Sequence, residues 1–280
     1  MAKIGERVTL RILREKTFGL FLDGGEMGEI LLPRREMPAK WEVGGMVEVF
    51  IYNDSEDRPV ATLKQPTAMP GHFARLRVVA LTPVGAFLDW GLPKDLLVPF
   101  REQKTRLVSG KFYLVYVRVD ETSGRIIATT RLARYLDLTP PPWREGEAVD
   151  LIIHGKTALG YKAIINGSHS GLLFANEVFQ PMQPGERVTG YIAGLRADGK
   201  IDLTLHPPGR ARVTDLEGQI LAELEARGGF WALCDSSSAE EIHHELGVSK
   251  RTFKQATGAL LRKGKIGLSD QGLRLLQADS

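Results

Sequence analysis

The sequence predicts a mainly β chain: small five-stranded barrels in tandem, followed by a C-terminal α+β domain. Three observations lead there. A unit repeats, with Gly19-Leu20-Phe21-Leu22-Asp23 returning as Gly85-Ala86-Phe87-Leu88-Asp89, and ten residues past each glycine a second match begins, at Glu29 and at Asp95. A shared register over such a span marks two copies of one structural unit. Segments rich in β-branched and aromatic residues recur between turn formers, as the strands of a sandwich or barrel do. After Pro207-Pro208-Gly209 that texture gives way to helical periodicity.

In the first unit, the strand-like segment Phe18 to Leu22 is followed by the repeated segment Glu29 to Glu36 and by a strand signal from Val47 to Tyr52, and the unit closes on Arg58-Pro59-Val60-Ala61-Thr62. The second unit repeats them from Gly85, from Asp95 and from Tyr113 to Val119, and closes on Gly124-Arg125-Ile126-Ile127-Ala128-Thr129. A third version shows Gly160-Tyr161-Lys162-Ala163-Ile164, then Gly171-Leu172-Leu173-Phe174, and closes on Gly199-Lys200-Ile201-Asp202-Leu203-Thr204. Gly44-Gly45, Ser109-Gly110 and Ser123-Gly124 bound the long strands. Five strands in roughly 70 residues predict a Greek-key barrel of the oligonucleotide/oligosaccharide-binding (OB) type. Proline clusters from Pro66 to Pro70 and from Pro140 to Pro142 separate the units as semi-rigid spacers. The expected domains are three tandem OB-type barrels, residues 1–65, 66–140 and 141–208, with residues 209–280 behind them.

In that tail, Thr214-Asp215-Leu216-Glu217 reads as a capping box. It opens a helix through Leu216, Ile220, Leu221 and Leu224 that Gly228-Gly229 stops. Ser238-Ala239-Glu240-Glu241 opens a second helix ending at Gly247. Ser249 caps a third, with Phe253, Ala256 and Leu260 on one face. Two short apolar runs, Ile266 to Leu268 and Leu273 to Leu275, flank a hairpin turn. Helix, short helix, tight turn, helix, hairpin is the order of a winged-helix domain. Between Leu246 and Leu268 stand six basic residues and no acidic one: Lys250, Arg251, Lys254, Arg262, Lys263 and Lys265. The first three fall in the opening turns of the recognition helix, where base or phosphate contacts are made. The same run also suits the solvated face of a protein-docking domain.

Net charge is +3, unevenly spread: residues 66–140 hold 11 Lys/Arg against 6 Asp/Glu, and residues 1–65 hold 10 against 11. A basic domain is the footprint of a nucleic-acid binder. On charge alone, ordinary scatter explains the surplus equally well. Hydrophobic content of 43% and charged content of 25% fit a soluble globular protein. One cysteine, Cys234, excludes an internal disulfide and points to a reducing compartment. It reads as a structural thiol. No apolar run approaches the roughly 18 residues of a membrane span, and Lys3 is followed by no apolar stretch of a secretory leader. A cytoplasmic protein without membrane association is expected.

Phe18-Gly19-Leu20-Phe21-Leu22, the Gly-Leu-Leu segment and the ending from Asp120 to Ile126 resemble the S-one RNA-binding motif, a barrel named after a large protein of the ribosomal small subunit. Three such barrels before a winged helix, with Ser249-Lys250-Arg251-Thr252-Phe253-Lys254, Gly258 and Leu260 in the tail, resemble the conserved virulence factor B family of bacterial RNA-binding regulators. In the S-one motif two aromatics, a residue after Gly-Leu-Leu, the Asp and the Arg hold RNA on one face. The resemblance therefore implies RNA contacts from Phe18 and Phe21 in the first barrel. In the second it implies Phe87, Asp120 and Arg125, with charge added by Lys94 and Arg118. In the third it implies Tyr161, Lys162, Phe174 and Lys200. The first barrel reads as degenerate, with aromatics but no positive balance. Val84 and Leu159 stand in place of the first aromatic in the other two. Strand alternation sets Phe87 beside Asp89 and Phe21 beside Asp23 on the outer face. In the third barrel Lys162, not Tyr161, is the natural solvent-facing neighbour.

Catalytic signatures are missing. No glycine-rich loop ends in Lys-Ser/Thr, His243-His244-Glu245 lacks zinc-site spacing, and Asp54, Glu56 and Asp57 read as a solvated turn. The sequence predicts a non-catalytic binder of single-stranded RNA, with no metal or cofactor, acting in post-transcriptional gene regulation. Two alternatives stay open: a regulator reading duplex DNA through the winged helix, and a scaffold on the ribosome or an RNA-decay complex. The repeats favour RNA, because aromatic platforms suit unpaired bases while duplex readers need groove-fitting helices.

Overall fold

Alternation along short strands turns each repeat into a closed barrel. The computed structural model describes residues 2–175, 178, 180–207 and 210–276. The chain forms two compact units, residues 1–136 with 184–186, and residues 137–183 with 187–280.

The first barrel comprises β1 (Arg7–Lys16), β2 (Gly19–Asp23), β3 (Glu29–Pro33), β4 (Met46–Asn53) and β5 (Pro59–Thr62), closed in the order β1-β2-β3-β5-β4. The second comprises β6 (Phe73–Thr82), β7 (Gly85–Asp89), β8 (Leu96–Pro99), β9 (Phe112–Val119) and β10 (Ile126–Thr129), and closes the same way. In each, the third and fifth strands make the one parallel pairing. β2 buries Leu20 and Leu22 and turns Phe21 and Asp23 outward; β7 does the same with Ala86 and Leu88 against Phe87 and Asp89.

The glycine that opens β2 and β7 is a close-approach residue. Gly19 and Gly85 have φ of 154° and 157°. A Cβ there would lie 2.1 Å from the Leu32 carbonyl oxygen and 2.3 Å from that of Val98. Only a residue without a side chain lets the second strand start so near the third.

The first two barrels share apolar packing. Phe50, Tyr52 and Val60 belong to one buried cluster with Leu76, Val78, Leu88 and Trp90. Phe50 meets Trp90 edge to face at 6.0 Å.

The third barrel comprises β11 (Ala148–Thr157), β12 (Gly160–Ile165), β13 (His169–Phe174), β14 (Arg187–Leu195) and β15 (Ile201–Thr204), with the same closure. Gly160, at φ 146°, repeats the close approach.

The tail is a winged helix: α1 (Arg210–Ala226), β16 (Phe230–Trp231), α2 (Ala239–Leu246), α3 (Lys250–Arg262), β17 (Ile266–Ser269) and β18 (Gly272–Leu275). Leu216, Ile220, Trp231, Ile242, Phe253 and Leu273 meet in its core. The Ser238 hydroxyl accepts from the Glu241 amide at 3.0 Å and that of Ser249 from the Thr252 amide at 3.2 Å, so both serines cap their helices. α1 departs from expectation by starting at Arg210, which leaves Thr214 inside the helix and not at its cap; Arg210, Ala211 and Arg212 are good helix formers that extend it upstream. Pro208 and Gly209 lie outside the described residues. The sheet order β16-β18-β17 adds a strand that two residues could not announce in the sequence.

Candidate nucleic-acid interface

On the first barrel, strand register places Arg14 and Leu31 opposite Phe21 on either side. Phe18, in the turn before β2, is 57% exposed and meets Phe21 edge-on at 5.6 Å. The Arg14 guanidinium lies 4.3 Å over the Phe21 ring and donates to both Glu29 oxygens, at 3.0 and 2.5 Å. Those hydrogen bonds hold the Glu29 carboxyl below the usual carboxylate range. Phe21 is therefore capped on one face. The open platform is Phe18, edge-on to the ring that the guanidinium covers, and unpaired bases stack on such exposed aromatics. Arg34 donates to the Thr17 carbonyl at 3.1 Å and steadies the turn that carries Phe18. Lys16 is exposed at the end of β1. The expected lack of positive charge came from the domain total. Locally, Arg14 covers Phe21, Arg34 holds the turn that carries Phe18, and Lys16 pairs opposite Gly19, while Asp23 pairs opposite Glu29.

The second barrel's polar residues are engaged. Asp120 is 6% exposed. Its Oδ1 accepts from Arg118 at 3.0 Å, and its Oδ2 from Ser123 at 2.8 Å and Arg101 at 3.3 Å. The Ser123 hydroxyl foremost, with Arg118, keeps this carboxyl below its ordinary range. Arg118 also donates to Glu102 at 3.2 Å. The RNA contacts expected from Asp120 and Arg118 thus fall on a buried carboxylate that already accepts three hydrogen bonds and on a guanidinium already paired, groups that hold the barrel together. Arg125 pairs with Asp57 of the first barrel. Lys94 stands 3.6 Å from the same carboxylate and donates to the Asp54 carbonyl. Arg131 donates to the carbonyls of Arg101 and Gln103. Much of the surplus charge of residues 66–140 is thus bound within the protein. Phe87 is half-buried. With Val84, Lys94, Leu97 and Arg125 it lines a cleft of about 270 Å³ whose opposite wall includes Tyr52, Ser55 and Asp57.

In the third barrel Tyr161 is 6% exposed and packs in the core, and the Met182 amide donates to its hydroxyl at 3.4 Å. Its expected RNA contact is corrected: Tyr161 stands at the register position of Leu20 and Ala86, and exposed Lys162 takes that of Phe21 and Phe87. Phe174 is half-buried, with Arg196 5.8 Å from its ring. Lys200 pairs with Asp198 at 2.6 Å.

The six tail cations divide. Lys250 donates to the Ser237 carbonyl at 2.7 Å, Lys254 lies 3.8 Å from Asp235, and Lys263 pairs with Glu217. Arg251, Arg262 and Lys265 are exposed and make no ion pair among the described residues. The described residues hold no group of three metal-ligating side chains, and no helix among them is long and apolar enough to cross a membrane.

Family models match the first barrel and the winged helix. The S1 domain, which is the S-one motif, matches residues 4–64, and the CvfB-like winged helix domain matches residues 218–275. The uncharacterized protein YitL of Bacillus subtilis strain 168 is 30% identical over 275 residues, 94% of this chain and 90% of that protein. Conserved virulence factor B of Staphylococcus aureus strain USA300 is 27% identical over 82% of each chain. A crystal structure of a multidomain protein with nucleic acid binding domains from Streptococcus pneumoniae is 24% identical, spans 98% of each chain and gives a TM-score of 0.44. The S-one match falls on the barrel whose aromatic face is open.

Proposed function

The chain belongs to the family of conserved virulence factor B and YitL, and from that premise we propose that it is a non-catalytic, cytoplasmic regulator that binds single-stranded RNA in post-transcriptional control of gene expression. The observation that carries this reading is Phe18, exposed in the turn before β2 and edge-on to Phe21, whose ring the Arg14 guanidinium covers. Such a surface offers stacking without base-edge readout, so it favours unpaired bases over a duplex. Lys162 and Phe174 on the third barrel, and Arg251, Arg262 and Lys265 on the winged helix, supply further phosphate and base contacts. Phe87 contributes from the cleft beside the first barrel.

The three exposed tail cations favour a second reading, in which α3 enters a duplex DNA groove. One experiment separates the two. Single-stranded RNA, single-stranded DNA and duplex DNA of matched sequence are titrated at one fixed salt concentration, since affinities depend steeply on salt. Single-stranded RNA is expected to bind most tightly. A preference for duplex DNA overturns the RNA reading.

A further inference from the structure

We propose that the turn between β4 and β5 of the first barrel competes with nucleic-acid phosphate for Arg125 and Lys94 of the second barrel. This rests on the RNA-binding reading above and concerns how much of the second barrel's face that RNA can use.

The turn is built to present a carboxylate. Asp54 accepts at Oδ1 from the Glu56 and Arg58 amides, at 2.9 and 3.0 Å, and at Oδ2 from the Arg58 guanidinium, at 2.9 and 2.7 Å. Asn53 donates to the Asp57 carbonyl at 3.1 Å. Asp57 itself is left-handed, with φ of 63°. So held, its carboxylate meets Arg125 and stands 3.6 Å from Lys94. A carboxylate on a guanidinium occupies the place a phosphate would take, since both present paired oxygens to the same fork. Phe87 lies in the same cleft, so a base stacked on it would bring its phosphate to these cations.

The clasp is weak enough to yield. The Asp57 and Arg125 side chains are 41% and 49% exposed, and an exposed ion pair shifts an equilibrium by about fivefold at most. The turn therefore tunes affinity and does not lock the face.

The test uses the full chain and a labelled single-stranded RNA of mixed sequence, titrated over a salt series. Asp57→Asn keeps the left-handed backbone, which Asn tolerates, and removes the charge. It is expected to bind RNA about two- to fivefold more tightly. The slope of log affinity against log salt should steepen by about 0.7 for each cation released. Adding Arg125→Ala should remove most of the gain and leave only the share of Lys94, whereas Arg125→Ala in the native chain should change affinity by less than about twofold, because that cation is already engaged. An unchanged affinity and slope for Asp57→Asn, or a large loss from Arg125→Ala alone, overturns the proposal while leaving RNA binding intact. Failure of the native chain to bind overturns the RNA reading and this proposal with it.

Discussion

Phe18, left 57% exposed and edge-on to a Phe21 that Arg14 covers, is apolar surface the fold has not used. Replacing Phe18 with Ala removes little buried area. Phe18→Ala is therefore expected to leave the thermal unfolding midpoint unchanged while weakening single-stranded RNA binding by about 1–3 kcal/mol. Tyr161→Ala is expected to do the reverse, lowering stability by roughly 3–5 kcal/mol through a core cavity; chemical denaturation measures it. Asp120→Asn breaks a network shared with Ser123, Arg118 and Arg101, and is expected to cost on the order of 2 kcal/mol at neutral pH. The Asp120 carboxyl is depressed in the folded state. Its contribution is therefore present above the unfolded value of about 3.9 and lost as pH falls through the native one. Denaturation curves of native and variant chains should accordingly begin to converge as pH falls below about 4 and meet only below the native value. The outward faces of Phe21 and Phe87 were legible from strand alternation. The burial of Asp120 was not, because the side chains that saturate it come from three separate segments.

At the scale of elements, the same glycine opens the second strand of every barrel and stands against a carbonyl oxygen. Gly85→Ala would place a Cβ 2.3 Å from the Val98 oxygen in a backbone region that side chains avoid. A loss of roughly 1–3 kcal/mol is expected in denaturant unfolding. This constraint was readable in advance, since the repeat aligns on that residue. The start of α1 was not: a capping box at Thr214 matched a local pattern that the helix formers before it override. On α3, half of the basic run turned out to be tethered, to Ser237, Asp235 and Glu217. Changing Arg251, Arg262 and Lys265 together to Ala is expected to flatten the salt dependence of RNA binding by up to about 0.7 per residue, whereas Lys263→Ala should act mainly on stability.

For the whole molecule, period and composition revealed three barrels and a winged helix but not which charges the fold engages. Counting Lys and Arg by domain made the second barrel the basic one. In the folded chain Arg101, Arg118, Arg125 and Lys94 each meet an acidic group or a carbonyl, two of them on the first barrel. The sequence holds no sign of which faces meet, since Asp57 and Arg125 lie 68 positions apart. The first barrel, near neutral in total, holds Arg14 over Phe21 and Arg34 against the turn that carries Phe18. The proposed RNA contact is therefore placed first on that face. The most direct test titrates one single-stranded RNA at a fixed salt concentration against the native chain and Phe18→Ala, both shown to be folded. A loss of about five- to 150-fold in affinity, equivalent to 1–3 kcal/mol for a stacked base, is predicted. Equal affinities for the two chains would contradict the assignment.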